Sequence, residues 1–152
     1  MQRSAHQLDA TDHAIIEALQ QDGRMAYTKL GAVVGLSEAA ARQRVQRLLD
    51  AGVMQVVAIT NPLSIGYRRM AMIGVRTEGP SDSIAETLQE MDEIDYLVIT
   101  AGSFDLLCEV VMGNDADLLE LTNRIRTVPG VVSTESFIYL DLVKQTYTYG
   151  SH

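Results

Sequence analysis

Six residues in one short stretch, Ser37, Ala39, Ala40, Gln43, Arg44 and Arg47, have types and spacings suited to contacting a nucleic-acid duplex. At about 100° per residue on a helix, Ala39, Ala40, Gln43, Gln46 and Arg47 share one face and Arg44 lies on its flank. None of them is acidic. Short side chains near a helix start allow close approach to a groove. Glutamine and arginine can each place two parallel hydrogen bonds on a base edge, and arginine also holds phosphate. With alanine at 39 and 40, base selection would rest on Ser37, Gln43, Arg44 and Arg47. A solvated arginine face on an αα-corner would look similar, so the neighbouring elements carry the distinction.

Those elements read as a helix-turn-helix over Tyr27–Gly52. A first helix is expected over Thr28–Val34 with Thr28 as its N-cap, ended by Gly35-Leu36, where glycine supplies a left-handed backbone. Ser37 caps the second helix and Glu38 adds negative charge to its first turn. Ala41, Val45, Leu48 and Leu49 form its packing face, and Gly52 ends it. Before it, Asp9–Gln21 reads as a further helix with Leu8, Ile15, Ile16 and Leu19 on one side. Asp9 or Thr11 caps that helix and Asp12 lies in its first turn, so Asp9 and Asp12 read as capping groups rather than paired catalytic acids. A helix in this second position enters the major groove. Val53–Thr60 is rich in valine and isoleucine and is expected to be a strand, either a wing or a connector.

The chain has 152 residues and a net charge of −8, which looks wrong for a protein that touches DNA. Residues 1–60 balance six bases against six acids, while residues 61–152 hold six bases and fourteen acids. The acidity belongs to the second part, which should lie away from a duplex, while three arginines gather at positions 42–47. A single cysteine excludes an intrachain disulfide and a cysteine-based zinc site. No signal-peptide pattern and no apolar run of membrane-spanning length is present, so a soluble cytoplasmic protein that does not enter membranes is expected.

The organisation is therefore 1–60 for the DNA-binding part, 61–66 (Asn61-Pro62 through Gly66) for a hinge, and 67–152 for a second domain. In that second domain, strands are expected over Arg69–Val75, Tyr96–Thr100, Asp105–Met112 and Val131–Leu140. One helix runs from Ser81 or Ser83 to Met91, with Ser83 and Glu86 fitting a capping box; another runs from Asn114 or Asp115 to Thr127. Val143–Tyr149 is expected to be a further extended arm. The order β-α-β-β-α-β predicts an α+β, ferredoxin-like sandwich with an antiparallel sheet and both helices on one face. The other face has no cover from within the chain and is too apolar to leave in water, which predicts at least a homodimer.

Nearly the whole chain resembles the leucine-responsive/asparagine-operon (Lrp/AsnC) family of regulators. LDATDHAIIEALQQDGR is similar to that family's first helix, and LGAVVGLSEAAARQRVQRLLDAGVMQ to its helix-turn-helix, including the serine cap and Arg44-Val45…Arg47-Leu48. NPLSIG resembles its hinge, AGSFDLL its glycine/aspartate turn, and PGVVSTESFIYL its last strand. The resemblance implies a winged helix-turn-helix joined to an effector-binding sandwich, dimers that assemble further, often to octamers, and an amino acid or related metabolite bound near the glycine/aspartate turn. Carried over by position, that site would use Gly102, Ser103, Phe104 and Asp105, with Thr134 and Ser136 on the last strand. Turn amides can hold a carboxylate, Asp105 an ammonium, and Phe104 an apolar side chain. The family's first domain is often more basic, so non-specific DNA affinity should be modest here and depend strongly on salt.

Two other function classes compete with this reading. An enzyme lacks support, since no convergent acid, base and nucleophile set and no phosphate-loop, serine-elbow or zinc motif is present. An architectural DNA-binding protein without an effector is the alternative to an effector-responsive regulator. No cofactor is expected beyond the amino-acid effector. Cys108 reads as a packing residue; His6, His13 and His152 are too scattered for a metal site; Met70, Met72 and Met112 read as core or subunit-contact residues.

Overall fold

In the computed structural model, which describes residues 8–145, three helices are followed by a four-stranded antiparallel sheet with two further helices. The chain divides into two compact units, one comprising residues up to Ile59 and those from Lys144, the other Thr60–Val143. No described helix is long and apolar enough to cross a membrane.

In the first unit α1 (Ala10–Gln21), α2 (Tyr27–Val34) and α3 (Glu38–Asp50) enclose a core of Ile15, Ala18, Leu30, Ala41, Val45 and Leu48. The α1 start is a complete capping box: the Asp9 carboxylate accepts from the Asp12 N–H at 2.8 Å and Asp12 accepts from the Asp9 N–H at 3.2 Å. Gly35 takes φ +74° at the end of α2, and Ser37 Oγ accepts from the Ala40 N–H at 3.2 Å to start α3. Thr28 is not the cap expected of it. The α2 N-cap is Ala26, with no side-chain bond, and the Thr28 hydroxyl instead donates to Glu38 Oε2, joining the starts of α2 and α3.

The strand expected at Val53–Thr60 does not form: these residues carry no regular secondary structure, so the wing is not a strand within this chain. Val53 and Met54 pack against the helical core, while Val56, Val57 and Ile59 are exposed. β-branched side chains suit a strand, but a ladder needs a second edge, and the described residues of this unit offer none. Pro62–Ile65 forms one 3₁₀ turn in the expected hinge.

In the second unit β1 (Arg69–Thr77), α4 (Asp82–Leu88), β2 (Ile94–Ile99), β3 (Leu106–Met112), α5 (Asp115–Arg126) and β4 (Val131–Ile138) give the sheet order β2-β3-β1-β4. Ala71, Ile73 and Val75 of β1 and Leu106, Cys108 and Val110 of β3 point into a core closed by Ile84 and Leu88 of α4 and Leu118, Leu121 and Ile125 of α5. Asn114 caps α5, accepting from the Ala116 and Asp117 N–H groups. The Ser83–Glu86 capping box is not made: Ser81 precedes α4 without a side-chain cap bond, and Ser83 lies inside the helix, where its carbonyl accepts from Thr87 Oγ1. The arm expected at Val143–Tyr149 falls largely outside the described residues, and 143–145 carry no strand.

Gly31 shows how tightly the helical turn is built. A Cβ there would lie 2.6 Å from the Leu36 carbonyl oxygen and 3.2 Å from the Ser37 backbone. Alanine would gain roughly 1 kcal/mol of helix propensity, but the obstacle is backbone and cannot rotate aside. Gly31→Ala should therefore destabilise the helical unit by about 1–3 kcal/mol net, read as a lower melting temperature of its helical circular-dichroism signal. An unchanged melt would show that the α2–α3 turn can open without cost.

Candidate DNA interface and ligand cradle

The outer surface of α3 carries the candidate DNA contacts. Ala39, Gln43, Gln46 and Arg47 are exposed, and Ala40 and Arg44 are half-buried. Gln46 Nε2 donates to Asp50 Oδ1 at 2.8 Å, and Gln43 makes no hydrogen bond among the described residues. Ser37 sits at the helix start, but its oxygen is engaged as the cap. The sequence therefore brings all six candidates to one helix and its N-cap, with Ala39, Gln43 and Arg47 exposed and Ala40 and Arg44 half-buried.

The arginines differ from expectation in having acid partners. Arg44 Nη1 lies 2.6 Å from Asp9 Oδ2 and 2.9 Å from Asp12 Oδ1; Arg47 Nη2 lies 2.8 and 2.9 Å from the two Asp12 oxygens. The Asp12 side chain is only 1% exposed, against 29% for Arg44 and 47% for Arg47. Arg42 in turn bonds Glu38 at 3.3 Å and lies over the Tyr27 ring, 4.6 Å from its centre. Each of the three α3 guanidiniums thus meets a carboxylate from the same unit. The pairs with Asp9 and Asp12 span more than thirty positions of chain, and periodicity within α3 carries no sign of them.

These contacts set the titration of the acids. The Arg44 guanidinium, then the Asp12 N–H, hold Asp9 below its ordinary carboxylate value. For Asp12, burial is the largest influence and acts upward, but the Asp9 N–H, Arg44 and Arg47 outweigh it and the carboxyl falls. The Thr28 hydroxyl, then Arg42, lower Glu38.

The candidate ligand residues lie at the β2–β3 turn and on β4. Gly102 and Ser103 are exposed. Asp105 Oδ2 accepts from the Thr77 N–H at 2.7 Å, where β1 shifts register against β4; its backbone N–H donates to Val75 O at 2.9 Å and its carbonyl accepts from the Thr100 N–H at 2.9 Å. The second carboxylate oxygen makes no hydrogen bond among the described residues. Phe104 folds back over Gly74 of β1, where a Cβ would stand 2.6 Å from the ring, so only glycine admits it. The Phe104 ring meets Phe137 edge-on at 5.9 Å and carries the Arg76 guanidinium at 5.2 Å. Sequence reasoning found Phe104 and Asp105 but missed Gly74, Arg76, Thr77 and Phe137, which reach the turn through sheet register.

Thr134 and Ser136 do not join this cluster. They stand opposite Val75 and Ile73, whose side chains enter the core, so they share the helix-covered face of the sheet; Phe104 and Phe137 lie on the open face. Thr134 Oγ1 accepts from Arg126 Nε of α5 at 2.8 Å. On the open face, Met72, Val98, Leu107 and Val111 supply apolar surface, interrupted by Glu109, which accepts from the Tyr139 hydroxyl at 2.8 Å. Cys108 is fully buried, and burial pushes its thiol up to about 11, which fits the packing role expected of it. No cluster of metal-ligating side chains occurs among the described residues.

Residues 8–49 match the AsnC-type helix-turn-helix domain, and residues 70–149 match the Lrp/AsnC ligand binding domain. An HTH-type transcriptional regulator of Pyrococcus furiosus is 33% identical over 143 residues, covering 92% of this chain and 97% of its own. The leucine response regulatory protein of Mycobacterium tuberculosis superposes with a TM-score of 0.82 at 30% identity, over 91% of this chain and 96% of that one. A transcriptional regulator of Neisseria meningitidis, solved as its L-Met complex, gives 0.79 at 26% identity, over 92% and 94% of the two chains.

A folded-state carboxylate held low contributes stability that is fully present above the unfolded value of about 3.9 and is lost as pH falls through the lower folded value. The directions at Asp9, Asp12 and Glu38 therefore predict that the helical unit melts at lower temperature once pH drops below about 4. Asp12→Asn should cost about 2 kcal/mol at neutral pH, between exposed and buried pairs, and should show a smaller acid loss. Thermal melts at neutral and acid pH test both statements; equal acid loss in wild type and variant would separate Asp12 from the effect.

Proposed function

Because the chain belongs to the Lrp/AsnC family of transcriptional regulators, and so is a DNA-binding regulator with a ligand-binding domain rather than an enzyme, we propose that it responds to an amino acid or closely related metabolite. The observation that carries this is the turn at Asp105. A carboxylate fixed by the Thr77 N–H keeps its second oxygen open beside the exposed Gly102–Ser103 backbone and the Phe104 ring. An α-amino acid offers matching groups: an ammonium for Asp105, a carboxylate for the turn amides, and a side chain for Phe104. The L-Met complex of the Neisseria neighbour is in keeping with that chemistry. Thr134 and Ser136, on the other face, take part only if a second copy or a moved turn brings ligand to them. The proposal needs no cofactor beyond the effector and places the protein in the cytoplasm, with its DNA.

Sequence selection falls to α3 through Gln43, Arg44 and Arg47, with Ser37, Ala39 and Ala40 setting the close approach at its start. The apolar open face of the sheet favours a homodimer, with further assembly up to an octamer as in the family resemblance. A twofold pair of α3 helices suits a near-palindromic site. The effector can shift DNA binding only by favouring one arrangement of these units over another.

A thermal-shift screen against the amino acids tests the reading. A ligand of the folded state adds about 2.7 kcal/mol at a hundredfold excess over its Kd, and the hit should also change gel-shift on the preferred DNA site. Asp105→Ala should abolish that response and leave DNA binding intact. Gly74→Ala, which evicts Phe104, should weaken the response in the same direction. Specific DNA binding with no hit among the amino acids would argue for another metabolite class or an effector-free architectural role.

A further inference from the structure

We propose that Asp12, which need not touch DNA, is the positioning residue that orients Arg44 and Arg47 for sequence recognition. The proposal rests on α3 being the recognition helix. Arg44 and Arg47 are three residues apart on α3, so their guanidiniums converge on the same side. The carboxylate they meet is itself fixed. Asp12 sits in the first turn of α1, inside a capping box, and is all but sealed from water. Its Oδ1 accepts from Arg44 Nη1 and Arg47 Nη2, and its Oδ2 from Arg47 Nη2 and the Asp9 N–H. Four contacts from three donor nitrogens occupy the lone-pair sites of one carboxylate. Asp12 therefore has no capacity left for water or a ligand, and its chemistry is spent on anchoring.

The arginines keep capacity. Arg44 retains Nε and Nη2, the edge that takes two acceptors side by side, and Arg47 retains Nε and Nη1, none of them hydrogen-bonded among the described residues. A long side chain already held in place surrenders less rotamer freedom on binding. Free arginines would favour any phosphate within reach; anchored ones favour the acceptors that lie where their remaining N–H groups point. The local charge agrees. Two guanidiniums against Asp12 leave one positive charge, which Asp9, 2.6 Å from Arg44 and half exposed, balances. Discrimination at this face accordingly depends on geometry more than on general attraction to the backbone.

The test uses the full chain. Its preferred site is selected from a randomised duplex pool, and Kd is measured for that site and for a scrambled duplex over a range of salt. Asp12→Asn keeps the shape and removes the charge. It should lower the ratio of scrambled to preferred Kd by about tenfold, the discrimination of one well-placed arginine contact, while affinity for scrambled DNA holds or rises. A role in folding alone would weaken both complexes by the same factor, and an unchanged ratio would overturn the proposal. Asp12→Glu, which keeps the charge but shifts it by one methylene, decides the matter should the asparagine variant prove unfolded by circular dichroism: the ratio must again fall. Asp9→Asn retains a competent cap and should tighten both complexes equally. A fall in its ratio would transfer the orienting role to Asp9 and overturn the assignment to Asp12. A wild-type chain with no preferred site would instead overturn the reading of α3 beneath it.

Discussion

A carboxylate removed from water costs several kcal/mol unless charged donors surround it, and Asp12 meets that cost with two guanidiniums and a backbone amide. The pairing determines more than its own stability. It joins the first turn of α1 to the C-terminal half of α3, while the Thr28–Glu38–Arg42 contacts join α2 to the N-terminal half. Beneath both lie the apolar residues from Ile15 to Leu48, which give the helices their packing but no preferred rotation of long polar side chains. α3 is thus held apolar on one side and by an acid toward each end. Its surface is rich in arginine yet locally balanced in charge, which accounts physically for a DNA-binding unit that is formally neutral.

The second unit follows another constraint. A sheet with both helices on one side leaves its opposite side to be covered by something else. Here the chain covers part of it with its own turn: Phe104 lies on the vacancy above Gly74, against Phe137 and under Arg76. The same turn carries Asp105, whose carboxylate closes the amide that the β1 irregularity would otherwise leave open. Structural closure and the proposed ligand contact share one loop, so a ligand held at Asp105 would act directly on the edge of the open face.

Local chemistry was legible in the sequence. Gly35, Ser37 and Asn114 terminate helices as their residue types dictate, and the alternation of Leu106, Cys108 and Val110 marks a strand buried on one side. What escaped depends on partners distant in sequence. Val53–Thr60 has the composition of a strand, but composition cannot supply a second edge. Arg44 and Arg47 read as open because their acids lie in another helix. The family resemblance groups Thr134 and Ser136 with Phe104, and only the register opposite Val75 and Ile73 shows that they stand on the other side of the sheet. Ser81 and Ser83 are two residues apart and chemically alike, so the start of α4 was decided by packing of Ile84 and Leu88.

The sole cysteine has a practical consequence. Cys108 points into the core from the middle of β3, with its thiol held protonated far above neutral pH. Alkylating reagents need an accessible thiolate, so the native chain is silent toward maleimide-type dyes. A cysteine introduced on the outer surface of α3, or in the turn beside Asp105, would be the single reactive thiol without prior removal of any native residue. The same burial keeps the Cys108 sulfur away from thiol oxidants in the folded chain.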